Sequence, residues 1–247
     1  MTRTSLLLLA AFVLSGTASC RDAGGTAAAI DGYVTGTVID TQGKPIAGAK
    51  ILLDGTILRD SYLRGTTGED GSYRIQAQPG AWMAYAEFEK TYNGRSYPLA
   101  LHPDSTDSIG DGGGVRNFRW KLEGRSPLNE YVYYGGFLIV DTTTTFADDI
   151  ADVELTLTPD GPLIDGSEGK ALRLRMHDHY WVQYGYIEDV PIGRYKVTAV
   201  LDNGGGPRPL KIATRNGDGV PATEYQLDFL PRSRERSRNS AEIIIGD

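Results

Sequence analysis

The sequence predicts an all-β protein made of two consecutive antiparallel β-sandwiches. Its 31 glycines and 12 prolines are spread between short apolar runs, as expected for a chain with many tight turns. Within those runs apolar side chains recur at every second residue, which is the period of a strand with one buried face. No long helix is indicated after the first twenty residues, and the segment FADDIADV is long enough for a single helical turn only.

The first twenty residues, MTRTSLLLLAAFVLSGTASC, are predicted to be an export signal that leads into Cys20. Arg3 provides a short basic start, and the apolar run from Leu6 to Leu14 is too short for a permanent membrane-spanning helix. Cys20 is the only cysteine, so it cannot form a disulfide within the chain. Its context resembles the lipobox of bacterial lipoproteins, although Thr17 stands where an aliphatic residue is usual.

This resemblance implies a cleaved signal peptide at residues 1–19 and a lipid on Cys20. A multiply acylated N-terminus would hold the chain on a membrane. We therefore expect a lipid-anchored protein of the bacterial cell envelope that faces the periplasm or the exterior. The alternative is ordinary signal cleavage with an incidental thiol. Residues 20–31 are small and polar without periodicity, and they are predicted to form a flexible tether.

Strand-like runs separated by Gly, Pro, Asn-Gly and Asp-Gly turns fill the rest of the chain. The first sandwich is expected over residues 32–125, with the runs GYVTGTVID, AKILLDG, GSYRIQA, AWMAYAEFE, RSYPLALHP and VRNFRWKL. The second is expected over residues 130–247, with the runs YVYYGGFLIV, VELTLTP, ALRLRMHDHYWVQYGYI, RYKVTAVLD, RPLKIATR, EYQLDFL and AEIIIG. Such short, regularly spaced strands favour sandwiches over alternating βα units.

Two motifs occur in a fixed order in the first half, GYVTGTVIDTQGKPIAGAKILLDG and then TTGEDGSYRIQAQPGAW. Together they resemble the carboxypeptidase regulatory-like domain, a transthyretin-like (prealbumin-like) sandwich of exported bacterial proteins. The matching positions are Gly36, Val38, Asp40, Gly43, Pro45, Gly48, Ala49, Thr67, Asp70, Gly71, Tyr73, Ile75, Pro79 and Gly80. The resemblance covers residues 32–122. The second half shares only the piece VPIGRYKV with this pattern, so a relation between the two sandwiches depends on that short similarity alone.

The resemblance implies that these motif residues build strands and turns, and that the domain is an accessory module without an active site. The catalytic zinc of the namesake enzymes belongs to a different domain with a His-x-x-Glu motif, which this sequence lacks. The physical interpretation agrees, because Pro45 presets a turn, Gly48 admits a backbone conformation denied to other residues, and Tyr73 and Ile75 alternate toward a core.

A metal site is the sharpest chemical alternative. His177 and His179 are two residues apart, so on one strand both side chains would point to the same face, as in many metal sites. A third ligand would have to come from His102, a carboxylate across the sheet or Glu188. The other interpretation is a pair of exposed histidines, and since two ligands do not define a site, no metal and no cofactor is predicted. A weak metal-dependent hydrolase is the corresponding enzyme hypothesis.

Two further groups of residues are candidates for ligand binding. Asp104, Asp107 and Asp111 share a loop but lack the spacing of a calcium loop, which favours a solvated turn. The 14 tyrosines and three tryptophans include Trp181, Tyr184 and Tyr186, which could stack on sugar rings if exposed or fill the core if buried.

The net charge of −7 gives no basic face for nucleic acid, and the one basic cluster, RSRERSR at 232–238, is best interpreted as a solvated hairpin loop. The combined prediction is a non-enzymatic cell-envelope lipoprotein whose sandwich faces or loops contact a protein or a polysaccharide. A carbohydrate-binding protein that uses exposed aromatic side chains is the main alternative.

Overall fold

The computed structural model describes residues 29–57, 59–179, 185–215, 220–231 and 239–247. Cys20, the signal segment, nearly all of the tether, Trp181, Tyr184 and the basic cluster at 232–238 lie outside the described residues. The regular structure of the described part consists of 17 strands and two short 3-10 helices. None of its helices is both long and apolar enough to cross a membrane.

The first half of the chain contains nine strands. These are β1 (Tyr33–Ile39), β2 (Lys50–Gly55), β3 (Tyr62–Thr66), β4 (Ser72–Gln76), β5 (Trp82–Tyr92), β6 (Arg95–Ala100), β7 (His102–Pro103), β8 (Gly113–Val115) and β9 (Phe118–Arg119). One sheet has the order β4-β1-β9-β7, with β8 also paired to β1, and the other has the order β3-β2-β5-β6. Alternate residues of both sheets, such as Val38, Ile51 and Phe118, are buried in the core.

The second half contains eight strands. These are β10 (Gly136–Thr142), β11 (Val153–Pro159), β12 (Leu172–Arg175), β13 (Tyr186–Val190), β14 (Arg194–Leu201), β15 (Arg208–Thr214), β16 (Tyr225–Asp228) and β17 (Ser240–Gly246). They form one sheet of order β12-β11-β14-β15-β17-β10-β13, with β16 also paired to β14. Strand β15 carries the sheet from one layer to the other, because its first residues pair with β14 and residues 211–214 pair with β17.

The all-β sandwich prediction is confirmed, with three differences in detail. The sheets are not wholly antiparallel, since β1 pairs in parallel with β8 and β9, and β10 pairs in parallel with β17. Strands joined by long connections are free to run in parallel, whereas tight hairpins are not. The run at 171–187 contains two strands, β12 and β13, in place of one. Strand β3 was not predicted, because its residues are only half-buried or exposed and show no apolar alternation.

The helical turn predicted in FADDIADV is confirmed as a 3-10 helix at Ile150–Asp152. Its start is fixed by Asp149, whose Oδ1 accepts a hydrogen bond from the amide of Ala151 at 2.9 Å. The second 3-10 helix, Met176–Asp178, follows directly after β12. Both helices are single turns between strands, so the chain has no helical layer in its described part.

Several motif residues of the first half have the structural roles that the sequence predicts. A Cβ atom on Gly36 would lie 1.8 Å from the carbonyl oxygen of Arg116, so β1 approaches that backbone too closely for any other residue. Gly48 has a φ of +73°, as its predicted role requires. Tyr73 and Ile75 are buried at 5% and 7% exposure, which confirms that they face the core.

The two halves contact each other through tyrosine hydroxyls. Tyr92 donates a hydrogen bond to the carbonyl oxygen of Pro162 at 2.8 Å and accepts one from the amide of Arg194 at 3.0 Å. Tyr97, which is 2% exposed, donates to the carbonyl oxygen of Phe229 at 2.7 Å. These bonds tie β5 and β6 of the first half to β14 and to the residue after β16, and the buried side chains of both halves belong to one apolar cluster.

Candidate binding groove

A groove of about 770 Å³ lies between the outer face of the sheet β3-β2-β5-β6 and the connection from Ser126 to Tyr134. Its size falls within the usual range for ligand sites, about 300–1,000 Å³. Its apolar lining residues include Leu52, Leu128 and Val132, and charged side chains stand along the sheet side. We call this feature the groove.

The sheet side of the groove is built by strand register. Because Ile51 and Leu53 are buried, the alternate residues Lys50, Leu52 and Asp54 point away from the core. Their cross-strand neighbours on β3 and β5 point the same way. Two rows line the groove, namely Thr66, Lys50 and Glu87, and Arg64, Leu52 and Tyr85; the row of Tyr62, Asp54 and Met83 lies beside it on the same face.

The charges along the groove are unequally compensated. Lys50 Nζ lies 3.4 Å from Glu89 Oε1, and hydrogen bonds from Ser96 and then Lys50 lower the pKa of Glu89. Arg64 forms no ion pair with a described residue, and its guanidinium lies over the ring of Tyr62, 5.2 Å from the centroid. Burial, and then the charge of Asp54, raises the pKa of Tyr85, so this phenol stays neutral at physiological pH.

The opposite wall is held in place by hydrogen bonds of the connection between the halves. The amide of Ser126 donates to the carbonyl of Val132 at 2.7 Å, and the amide of Tyr134 donates to the carbonyl of Gly124 at 3.0 Å. The Tyr134 hydroxyl lies 3.0 Å from Nδ1 of His102, whose pKa is lowered by burial and by Lys121. The wall is therefore a compact turn fixed to the first half.

A second depression, about 390 Å³, shares Ala100, Asn129, Val132 and Tyr134 with the groove and leads toward β13. It is lined by two acidic residues that are adjacent in the sequence, Glu188 and Asp189.

Asp189 is the more constrained of the two. Its φ is +65°, and its carboxylate accepts hydrogen bonds from the amides of Gly124 at 2.8 Å and Gly135 at 3.1 Å. Burial outweighs these bonds and raises the pKa of Asp189, helped by the nearby charges of Glu123 and Glu188. This carboxylate therefore fastens the connection to the second half.

The structure does not place the predicted histidine pair on one strand, and that expectation is wrong. β12 ends at Arg175, and His177 lies in the following 3-10 helix, where its Nε2 is 3.0 Å from Asp178 Oδ1 in an exposed contact. His179 instead turns toward Glu188, with 3.7 Å between Nδ1 and Oε2. His102 is bonded to Tyr134, and no group of three potential metal ligands occurs among the described residues.

The aspartate loop already contains a positively charged partner. Arg116 is 4% exposed, its Nε lies 3.6 Å from Asp104 Oδ1, and it donates from Nη2 to the carbonyl oxygen of Asp107 at 2.8 Å. Asp104 also accepts from the amide group of Asn117 at 2.8 Å. The sequence showed neither Arg116 nor Asn117 as partners because both follow the loop on the stretch before β9.

Of the three aromatic candidates, only Tyr186 lies in the described part. It is half-buried on β13, and its ring centroid is 5.0 Å from that of Phe137 on β10. This ring packs against a neighbouring strand and is not an open platform. The exposed tyrosines of the described residues are Tyr62, Tyr85 and Tyr131.

No protein-family model and no curated protein matches the chain. Among solved structures, the TIE protein of Bacillus anthracis is similar, with 8% identity and a TM-score of 0.28 over 87% of this chain and 49% of that one. BcpA, the major pilin subunit of Bacillus cereus, has 9% identity and a TM-score of 0.26 over 88% of this chain and 100% of that one. Fervidolysin of Fervidobacterium pennivorans, a keratinolytic enzyme related to subtilisin, has 11% identity and a TM-score of 0.29 over 87% of this chain and 30% of that one.

This chain thus spans less than half of the length of TIE and of fervidolysin. At these identities and TM-scores the likeness is one of all-β architecture alone. The class that the fold and the groove define is an all-β sandwich protein with a concave surface between its sheet face and an inter-sandwich connection.

Proposed function

We propose that the chain is a non-enzymatic binding module of the bacterial cell envelope whose ligand lies in the groove. The observation that carries this proposal is the groove itself, which combines an apolar surface with a rim of charged and hydroxyl-bearing side chains on a rigid sheet. Polar groups fixed by strand register provide orientation, and the apolar surface provides contact area. No catalytic step is required of any residue in it.

The proposal includes two modules, one at 32–125 of the carboxypeptidase regulatory-like type and one at 130–247. The architectural role of the motif residues supports the first assignment: besides Gly36 and Gly48, the buried Thr67 hydroxyl accepts from the amide of Ala49 at 2.9 Å and donates to the carbonyl of Ile46 at 2.7 Å. Such roles belong to a scaffold that presents a surface.

The proposal also includes a lipid on Cys20 that holds the module on a membrane. Metabolic labelling with radioactive palmitate tests this part. Label is expected in the wild-type chain and not in Cys20→Ala. Label that persists in the variant, or that never enters the wild type, would show that the anchor is wrong while leaving the groove untouched.

A groove-blocking substitution tests the binding function. The mature chain with Cys20→Ser, which lacks a lipid, is mixed with envelope fragments of the parent bacterium and sedimented. Ala100 is exposed on β6 and lines the groove, so Ala100→Trp is expected to fill it and abolish co-sedimentation. Arg119→Trp, on an exposed position of β9 in the other sheet, is the matched control and is expected to sediment as the parent does. Equal sedimentation of the two tryptophan variants would contradict the proposal.

A further inference from the structure

Two tyrosine rings stand on the sheet face beside and within the groove. Tyr62 on β3 and Tyr85 on β5 are each 38% exposed, although the alternate residues Ala84 and Ala86 of β5 are buried. Both strands pair with β2, and the tyrosines lie opposite Asp54 and Leu52 respectively. Two strand spacings separate β3 from β5, and the tyrosines are offset by two residues along the strands, so these side chains start about 12 Å apart.

That separation indicates the shape of the ligand. Each ring offers an apolar face with a hydroxyl at its tip, which suits a partner with apolar faces and many hydroxyls. Since the rings are farther apart than the width of one sugar ring, a single small molecule would contact only one of them. A chain of linked sugar rings would contact both.

Arg64 gives this face a charge preference. It lies in the row with Leu52 and Tyr85, and it forms no ion pair with a described residue, whereas Lys50 is engaged by Glu89. Its guanidinium carbon lies 5.2 Å from the centroid of the Tyr62 ring, so a cation–π contact keeps Arg64 beside this tyrosine. A planar guanidinium recognises a carboxylate with two parallel hydrogen bonds, which a lysine cannot do.

The net charge of −7 limits the kind of anion that this face can bind. At physiological ionic strength, charges beyond the Debye length of about 8 Å are screened, so a single carboxylate at the groove senses mainly the charges of its own sheet face. Those nearest Arg64 are Lys50, which is paired with Glu89, and the carboxylates of Asp54 and Glu87 in the neighbouring rows. A densely charged phosphate backbone would meet the acidic surface along its whole length and would need many cations. Carboxylates carried one per sugar ring fit the charge pattern better.

We propose that the groove and the adjoining face bind a uronic-acid-containing glycan, with Tyr62 and Tyr85 stacked on sugar rings and Arg64 paired with a carboxylate. This inference rests on the proposed function, because it names the ligand class of the same groove. A peptide added to the free edge of β3 would be held by main-chain hydrogen bonds and would not depend on these tyrosines.

Calorimetric titration tests the inference with soluble polygalacturonate, alginate and hyaluronate, each compared with its own methyl ester. The ester keeps the sugar chain and removes the carboxylate charge. At least one acidic glycan is expected to bind about tenfold more tightly than its ester, the size of a charge-assisted hydrogen bond. No binding of any acidic glycan at millimolar uronate, or equal binding of acid and ester, would overturn the inference.

Two variants assign the contacts. Tyr85→Ala is expected to weaken binding of both acid and ester by about tenfold, as the loss of one stacking platform does in other ligands. Arg64→Gln is expected to remove the difference between acid and ester while leaving binding of the ester unchanged. Acid and ester affinities that stay at wild-type values in both variants would show that the glycan binds elsewhere and would overturn the inference.

Matched control variants exist on other surfaces. Arg74 on β4 is exposed and stacks over Tyr33 at 4.8 Å, which copies the Arg64–Tyr62 pair outside the groove, so Arg74→Gln is expected to bind as the wild type does. Tyr33→Ala removes the tyrosine of that second pair, on β1 of the other sheet, and is the corresponding control for Tyr85→Ala. If Ala100→Trp abolishes envelope binding but no glycan binds the wild type, the ligand class is wrong and the proposed function stands.

Discussion

The two halves of the molecule build sandwiches in different ways. In the first half, short segments cross between two separate sheets, and side chains close their turns: Asp40 accepts hydrogen bonds from the amides of Gln42 and Lys44. In the second half a single sheet continues through β15, and its first and last strands, β10 and β17, lie side by side. The first half combines turns closed by their own side chains with the close approach of β1 to residues 113–119, whereas the second half is closed by the parallel pairing of β10 with β17.

This difference explains where the groove lies. The first half provides the sheet face, and the connection that leads to the other half provides the wall. The second half contributes the carboxylate of Asp189, which holds the start and the end of that connection. Substitutions in both halves test this comparison through the stability of the folded chain.

The largest effect is expected at the close backbone approach in the first half. In Gly36→Ala the new Cβ would lie 1.8 Å from the carbonyl oxygen of Arg116 and 2.7 Å from the ring of Tyr73. That ring is fixed by its own hydrogen bond to Arg116, 2.6 Å long, so neither group can yield freely. We expect a loss of more than about 4 kcal/mol in the free energy of unfolding, measured by urea denaturation.

The control is Gly110→Ala, since a Cβ there would meet nothing within 4 Å and its φ is not in the left-handed region. Its stability is expected to stay within about 0.5 kcal/mol of the wild type. If Gly36→Ala unfolds at the same urea concentration as this control, the first half is not specified by the approach of β1 to Arg116.

The same contrast shows what could be predicted from the sequence. The all-β class, the turn residues and the inward side of Tyr73 and Ile75 follow from alternation and from Gly and Pro, which act over a few residues. The parallel pairing of β10 with β17 does not, because nothing in either strand encodes its partner. For the same reason the sequence could not show that Arg64 and Tyr85 share a face, since β2 must lie between them.

The prediction for the histidine pair fails for a related physical reason. The alternation of ALRLRMHDHYWVQYGYI continues beyond the point at which β12 ends, and Met176 then turns inward at 0% exposure. The amide of His179 donates to the Met176 carbonyl, which closes a 3-10 turn in place of a strand pair. Alternating apolar residues indicate which side chains are buried, not which backbone conformation they adopt. Here the buried Met176 lies in a 3-10 turn but keeps the two-residue spacing from Leu172 and Leu174 that a strand would have.

In the second half, a core deletion is expected to have the next largest effect. Ile243 on β17 is fully buried, and its strand joins β10 and β15. Ile243→Ala should cost about 2–5 kcal/mol of stability through lost burial and the remaining cavity. Its neighbour Ile244 faces the other side and is only half-buried, so Ile244→Ala should cost clearly less in the same urea experiment. Equal costs would mean that β17 does not alternate as described.

A smaller, pH-dependent effect is expected at Asp189, whose carboxylate binds both ends of the connection between the halves. Because the folded pKa of Asp189 is raised, its contribution favours the folded state at low pH and is lost as the pH rises through that pKa. Asp189→Asn keeps an acceptor for the amides of Gly124 and Gly135, tolerates a φ of +65° and carries no charge. Its stability relative to wild type should therefore increase with pH, as followed by urea denaturation between pH 4 and 8 (about the range over which a raised carboxyl pKa titrates).

Asp189→Ala serves as the comparison, because it removes both charge and acceptor. It is expected to be less stable than Asp189→Asn by about 1–3 kcal/mol at all pH values, the cost of leaving the part-buried amides of Gly124 and Gly135 unpaired. An Asn variant whose stability relative to wild type does not change with pH would contradict the raised pKa of the Asp189 carboxyl.

The smallest effect is expected for an ion pair inside the second half. Arg194 on β14 and Asp228 on β16 are register partners, joined by hydrogen bonds of 2.8 and 3.0 Å, with their side chains about one-third exposed (34% and 31%). A double-mutant cycle with Arg194→Met and Asp228→Asn should give a coupling of about 0.2–1 kcal/mol that shrinks as salt is added. The amide of Arg194, which bonds Tyr92 of the first half, is untouched by these changes. A coupling of several kcal/mol would contradict this expectation, because it would mean that a single, partly exposed ion pair contributes strongly to the stability of the second half.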